Sequence, residues 1–243
     1  MPSPRTLLLL VLILLLGGYF RFTGLSWDDF THLHPDERFL TSTTAKLETI
    51  SDPLLYLRTS ESPLNPYNKG EGFYVYGNFP MTATKYVAEW AEAWRTPCNE
   101  EPEPRPLCRN PLTSYDGIHL IGRILSALLD LTAVLFTFLI GRRLYSDRVG
   151  LLAAFLMATA VMPIQQSHFY TMDNWAAGLA TMTIYSAVRA SEQATRKLWW
   201  ALFGILLGLT LASRVNVAPL AGVAGVAGLI WLAQGKARES KWW

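Results

Sequence analysis

Six apolar stretches dominate the chain, at positions 7–20, 118–140, 149–163, 175–188, 198–212 and 215–232. A bilayer leaves no water to satisfy backbone N–H and C=O groups, so spanning segments of this kind must be helices. A span needs about twenty apolar residues, and several of these stretches reach that only with their flanks. Charged residues make up 16% of the 243 positions and hydrophobic ones 51%, which fits a polytopic membrane protein. The net charge of +2 excludes a nucleic-acid footprint. The expected fold is therefore all-α, with about six transmembrane helices.

The first stretch has a basic start, as a secretory signal would, but it runs into Tyr19, Phe20, Arg21 and Phe22 rather than a small-residue cleavage site. It reads as an uncleaved first span, with Arg21 expected to snorkel to the interface. Arg142, Arg143 and Arg148 follow the second stretch, Arg189, Arg196 and Lys197 follow the fourth, and Lys236, Arg238 and Lys241 follow the sixth. Threading six helices puts all of them on one side with Arg5. The positive-inside rule makes that side cytoplasmic.

Residues 21–117 then form a long extracytoplasmic loop. Two interfacial helices are expected in it, one starting at Pro35 and one near Pro80, the latter carrying Trp90 and Trp94 at headgroup level. Cys98 and Cys108 bracket a proline-rich acidic excursion and suggest a disulfide on an oxidising face.

The threading gathers the unusual polar residues at the outer face. The long loop brings His34-Pro35-Asp36-Glu37-Arg38, the next outer turn His168, Tyr170 and Asp173, and the last Arg214. Each has a plainer reading. Proline followed by Asp and Glu is an ordinary helix start, and Asp173 suits a cap for a helix near Trp175. His168 and Tyr170 suit interface anchors, and Arg214 a snorkelling flank. Arg123 and Asp130 share one face of the second span, about 10 Å apart along its axis, and charges at such depth normally face the bundle interior.

Several of these stretches together resemble a known family. Arg21-Phe22-Thr23-Gly24-Leu25, His34-Pro35-Asp36-Glu37, Tyr76-Gly77-Asn78-Phe79-Pro80, Gly141-Arg142-Arg143-Leu144-Tyr145 and Ser167-His168-Phe169-Tyr170-Thr171-Met172-Asp173 are similar to the amino-terminal half of GT-C glycosyltransferases. The nearest branch is that of protein O-mannosyltransferases and lipid A aminoarabinose transferase. Members usually carry more membrane helices and a carboxy-terminal region, so the resemblance implies one GT-C-like module over 1–243, incomplete at its carboxy end.

The resemblance implies a multi-pass protein of the plasma membrane. It would transfer a sugar from a polyprenyl-phosphate donor to an acceptor hydroxyl at the extracytoplasmic face, with inversion. Asp36 is the expected base, with Glu37 positioning it or binding acceptor or metal. His34, Arg123, His168, Tyr170, Asp173 and Arg214 are the expected substrate contacts, Arg123 and Arg214 for the phosphate. Asp36 and Asp173 would hold a divalent cation, magnesium or manganese, if one is used. The competing readings are a non-catalytic membrane assembly or lipid-binding subunit that kept the fold, and, more distantly, a transporter.

Overall fold

A computed structural model describes residues 2–72, 75–95, 105–192 and 197–233. Among these residues the regular structure is entirely helical. The helices are α1 (Pro4–Phe22), α2 (Pro35–Lys46), α3 (Pro53–Leu57), α4 (Phe79–Trp94), α5 (Pro106–Arg109), α6 (Tyr115–Leu144), α7 (Asp147–Thr159), α8 (Val161–Ser167), α9 (Met172–Glu192), α10 (Lys197–Ser213) and α11 (Gly222–Ala233). Short 3-10 turns occupy Pro66–Lys69 and Val215–Ala221.

All six apolar stretches are helical, and the two helices expected in the long loop are α2 and α4. By length and composition, α1, α6 and the run Val215–Ala233 could each cross a membrane, and α7 with α8 makes a fourth span as a bent pair. Lys197–Ser213 is apolar but only 17 residues long. Met172–Glu192 has 21 residues but holds Asp173, Arg189 and Glu192. Among the described residues, the count that length and composition support is thus three to four, where six were expected.

Local chemistry explains the helix starts. Ser3 caps α1 by accepting from the Thr6 amide at 3.1 Å, and Pro4 follows at a position where its missing N–H is no loss. Leu8, Leu12 and Leu15 on α1 remain exposed, as a lipid-facing stripe requires.

Helix α6 is the axis of the bundle. It packs on α9, on α7 and α1 through its carboxy-terminal half, and at its amino-terminal end on α2 and α4. The apolar seam with α1 and α7 consists of Leu10, Val134, Phe138, Ala154 and Ala158. One close approach requires glycine: a Cβ on Gly122 would penetrate the ring of Tyr170, which is fully buried.

The break between α7 and α8 bends the pair by 55° and exposes the last carbonyls of α7. Arg21 fills that gap. Its Nη1 donates to Ala158 O at 2.8 Å and Gly17 O at 3.0 Å, its Nη2 to Met157 O at 3.2 Å, and its Nε to Asp130 at 2.5 Å. Arg21 is 0% exposed, so the expectation that it snorkels to the interface is corrected. A cation at a helix carboxy-terminus is favourable, and Asp130 neutralises it where a lone buried charge would be costly. This also accounts for Asp130, which pairs with α1 rather than with Arg123 on its own helix.

Candidate functional site

The site is built on α2. His34 is the N-cap, its Nδ1 accepting from the Glu37 amide at 3.4 Å, and Pro35, Asp36 and Glu37 form the first turn. The plain reading of this stretch as a helix start is therefore correct as local structure. Consecutive residues on the turn point in different directions, and that gives the two carboxylates different environments. Asp36 is exposed and Glu37 is fully buried.

Glu37 meets Arg123 in two parallel bonds, Nε to Oε1 at 2.7 Å and Nη2 to Oε2 at 2.6 Å. Asp28 takes a second fork from the same guanidinium, at 2.9 Å from each Nη, and Leu25 O accepts from Nη1 at 2.6 Å. All five N–H groups of Arg123 are thus satisfied. Glu37 Oε1 also accepts from the Tyr170 amide at 2.7 Å. Burial pushes the Asp28 carboxyl up, but the Arg123 guanidinium outweighs it and holds the group below its ordinary value. The result is a dry clamp joining the turn after α1, the start of α2, the amino-terminal part of α6 and the start of α9. Arg123, expected to contact a lipid phosphate, is 0% exposed and fully engaged inside the protein. Sequence reasoning did not single out Asp28. Its only signal was an acidic pair, Asp28-Asp29, a few residues past the end of the first apolar stretch.

Asp36, on the open side of the turn, lies near the Tyr76 hydroxyl. Burial first, then the Asp36 carboxylate, raises Tyr76 above its ordinary value, while Arg214 acts in the opposite direction. Arg214 follows α10 and is ion-paired with Asp173 in the first turn of α9. Gly77 N–H donates to Ser213 O at 3.1 Å, and a side chain at Gly77 would collide with the Ala212 backbone. This contact draws the 76–78 loop onto the end of α10. Asp36, Tyr76, Asp173 and Arg214, from three separate loops, are thereby brought to one face. The Asp173–Arg214 pair remains 44% and 40% exposed, open to a ligand in a way the Arg123 clamp is not.

The remaining expected residues support this face from behind. Tyr170 is buried, its hydroxyl 2.9 Å from Thr44 Oγ1, and burial raises it above its ordinary value. His168 has both ring nitrogens 2.8 Å from backbone carbonyls, those of Ile164 and Thr23. His34 packs against Phe169 with centroids 4.4 Å apart and the rings tilted by 41°. Asp36 lies near Tyr76, Asp173 is ion-paired with Arg214, and among the described residues no group of three or more His, Cys, Asp or Glu is placed to hold a metal ion. Cys108 is disulfide-bonded, while Cys98 lies outside the described residues.

Comparison with known proteins gives one match. The family model for dolichyl-phosphate-mannose-protein mannosyltransferase covers residues 119–243, just over half of the chain. That range holds Arg123, Asp130, His168, Tyr170, Asp173 and Arg214, and begins after Asp36 and Glu37. No curated protein and no solved structure matches the chain.

Proposed function

Because the chain belongs to the dolichyl-phosphate-mannose-protein mannosyltransferase family, a family of membrane-integral glycosyltransferases, we propose that it moves a sugar from a polyprenyl-phosphate donor to an acceptor hydroxyl. Transfer takes place at the extracytoplasmic face of the plasma membrane, with Asp36 as the base. The observation that carries this reading is the division of labour within the acidic pair. Glu37 is locked to Arg123, and Asp36 is left exposed with one tyrosine hydroxyl near it.

In the reaction the acceptor oxygen attacks C1 of the sugar, and its proton passes to Asp36. The bond between C1 and the phosphate oxygen breaks, the lipid phosphate leaves with the electron pair, and the configuration at C1 inverts. The Tyr76 hydroxyl lies near the Asp36 carboxylate. Arg214 lies across the same face and stabilises the charge growing on the departing phosphate, with Asp173 holding its guanidinium in position. Glu37, Asp28 and Arg123 act as positioning residues that fix the turn carrying Asp36. His34 supports that turn as its cap, and His168 and Tyr170 support the wall behind it.

The test is to incubate membranes containing the protein with a radiolabelled polyprenyl-phosphate mannose and a hydroxyl-bearing peptide. Sugar transfer with release of polyprenyl phosphate supports the reading. Binding of the donor without turnover, under conditions where a known family member is active, would favour the lipid-binding subunit instead.

A further inference from the structure

At the other end of the bundle, the last turns of α6 and α9 and the first turn of α7 enclose a cavity of about 330 Å³. Arg142, Arg143, Asp147, Tyr185, Arg189 and Glu192 are among the residues that line it. Three guanidiniums face two carboxylates, so the lining carries a net positive charge. Pockets of roughly this size, about 300 Å³ and upward, hold small ligands.

Arg142 and Arg143 are engaged only in part. Arg142 gives its Nε to Asp147 at 2.8 Å, and Arg143 gives its Nε to both oxygens of Glu192 at 2.8 and 2.6 Å. Neither donates an Nη hydrogen to any of the described residues, in contrast to Arg123, whose five donors are all used. Arg189 is held beside them by the Tyr185 hydroxyl at 3.2 Å and lies 4.5 Å from the Trp199 ring centroid. Basic residues at the end of α6 complement its dipole and obey the positive-inside rule. Neither effect requires a cavity or leaves two guanidinium forks unspent. Planar forks of that kind match the oxygens of a phosphate.

The depth of the cavity suits a headgroup. Helix α6 has 30 residues, about 45 Å at 1.5 Å per residue, which exceeds the ~30 Å of bilayer hydrocarbon. Arg142 and Arg143 in its last turn therefore sit at the surface. Leu144 and Tyr145 beside them are 54% and 76% exposed, as interfacial anchors are.

We propose that this cavity binds a phosphate-bearing anion, supplied by an anionic lipid headgroup of the adjoining leaflet or by a free phosphate or diphosphate. The Nη groups of Arg142 and Arg143 grip the phosphate oxygens, while Asp147 and Glu192 keep the guanidiniums oriented through Nε.

Native mass spectrometry of the whole purified chain tests this with three probes: phosphatidylglycerol, phosphatidylcholine and inorganic diphosphate. Phosphatidylglycerol should bind in preference to phosphatidylcholine. A contribution of about 1 kcal/mol per arginine near a charged headgroup corresponds to about a fivefold loss for Arg143→Gln and about 25-fold for Arg142→Gln with Arg143→Gln. Arg143→Lys keeps the charge beside Glu192 and removes the fork, so it should weaken binding with an unchanged melting temperature. Arg5→Gln, on the same side but outside the cavity, should leave binding unaltered. Diphosphate that competes with phosphatidylglycerol identifies a free anion as a ligand. Binding of phosphatidylglycerol alone identifies the headgroup. The proposal is overturned if the double variant binds both anionic probes as the unaltered protein does, or if Arg5→Gln loses as much.

Discussion

Replacing Arg123 with Met should be the most damaging single change around the site, and the structure sets its size. The guanidinium serves two carboxylates at once, and all three side chains are 0% exposed. Removing one partner of a buried pair costs about 3–5 kcal/mol, because the other charge is left without compensation. Here two charges are stranded, so the expected loss is at the upper end, about 5 kcal/mol, against a total stability of order 5–15 kcal/mol. Arg123→Lys keeps the charge but offers three donors in place of five, and should lose about 1.5–3 kcal/mol, the worth of a hydrogen bond to a charged group. Replacing all three residues, with Asp28→Asn and Glu37→Gln added to Arg123→Met, should recover part of the loss.

The pH dependence follows from Asp28, whose native value lies below its ordinary 3.8. Its contribution in the unaltered protein is present above that ordinary value and fades as pH falls through the native one. In Arg123→Met burial, which favours the protonated acid, loses its main opponent. The gap between the two proteins should therefore be widest at neutral pH and narrow on acidification towards about pH 3.8. Reversible unfolding by SDS in mixed micelles, followed by tryptophan fluorescence at several pH values, gives the measurement. An Arg123→Met protein within about 1 kcal/mol of the original at neutral pH, and indifferent to pH, would refute the clamp.

Arg21→Leu should destabilise the inner bundle by about 3–5 kcal/mol in the same assay, since it strands Asp130 and uncaps the end of α7. Adding Asp130→Leu should restore part of that, and a double variant no better than the single would count against the pairing. Gly122→Ala should lose about 1–3 kcal/mol through overpacking against Tyr170, with a lowered melting temperature as the readout. Cysteines introduced at Leu57 and Tyr145, both more than 70% exposed, should label with an impermeant reagent from outside at 57 only. Labelling at 145 and not at 57 would invert the topology.

The helices were legible because their signals are local. Apolar runs, Pro35 behind a capping residue, and the basic flanks all act within a few residues of the elements they define. The convergence of the outer loops was legible too, through threading, and Asp36, Asp173 and Arg214 do share a face. The roles of the buried charges were not. Arg123 and Asp130 lie on one face of α6, yet they belong to two separate ion-pair systems. Their partners are Asp28 and Glu37 in one case and Arg21 in the other, about 86 to 109 positions away. No spacing rule reaches that far. Arg21 was read as an interfacial arginine because its neighbours are a membrane flank. What decides its position is the break after Thr159, which opens carbonyls on another helix, and of that the sequence shows only Pro163. His168 and Tyr170 stood out by residue type; the structure sets the ring of His168 against the carbonyls of Ile164 and Thr23 and buries Tyr170 over Gly122, contacts that no local spacing announces.

The central claim is that Asp36 takes the acceptor proton, and Asp36→Asn tests it most directly. Asn keeps the shape and remains acceptable in the first turn of α2, so fold and donor binding should be preserved. Only the proton acceptor is lost. With expression and melting temperature matched, sugar transfer from polyprenyl-phosphate mannose should fall by about 10²–10⁴ in kcat, with little change in the donor concentration needed for half-maximal rate. Turnover equal to that of the unaltered protein would contradict the account.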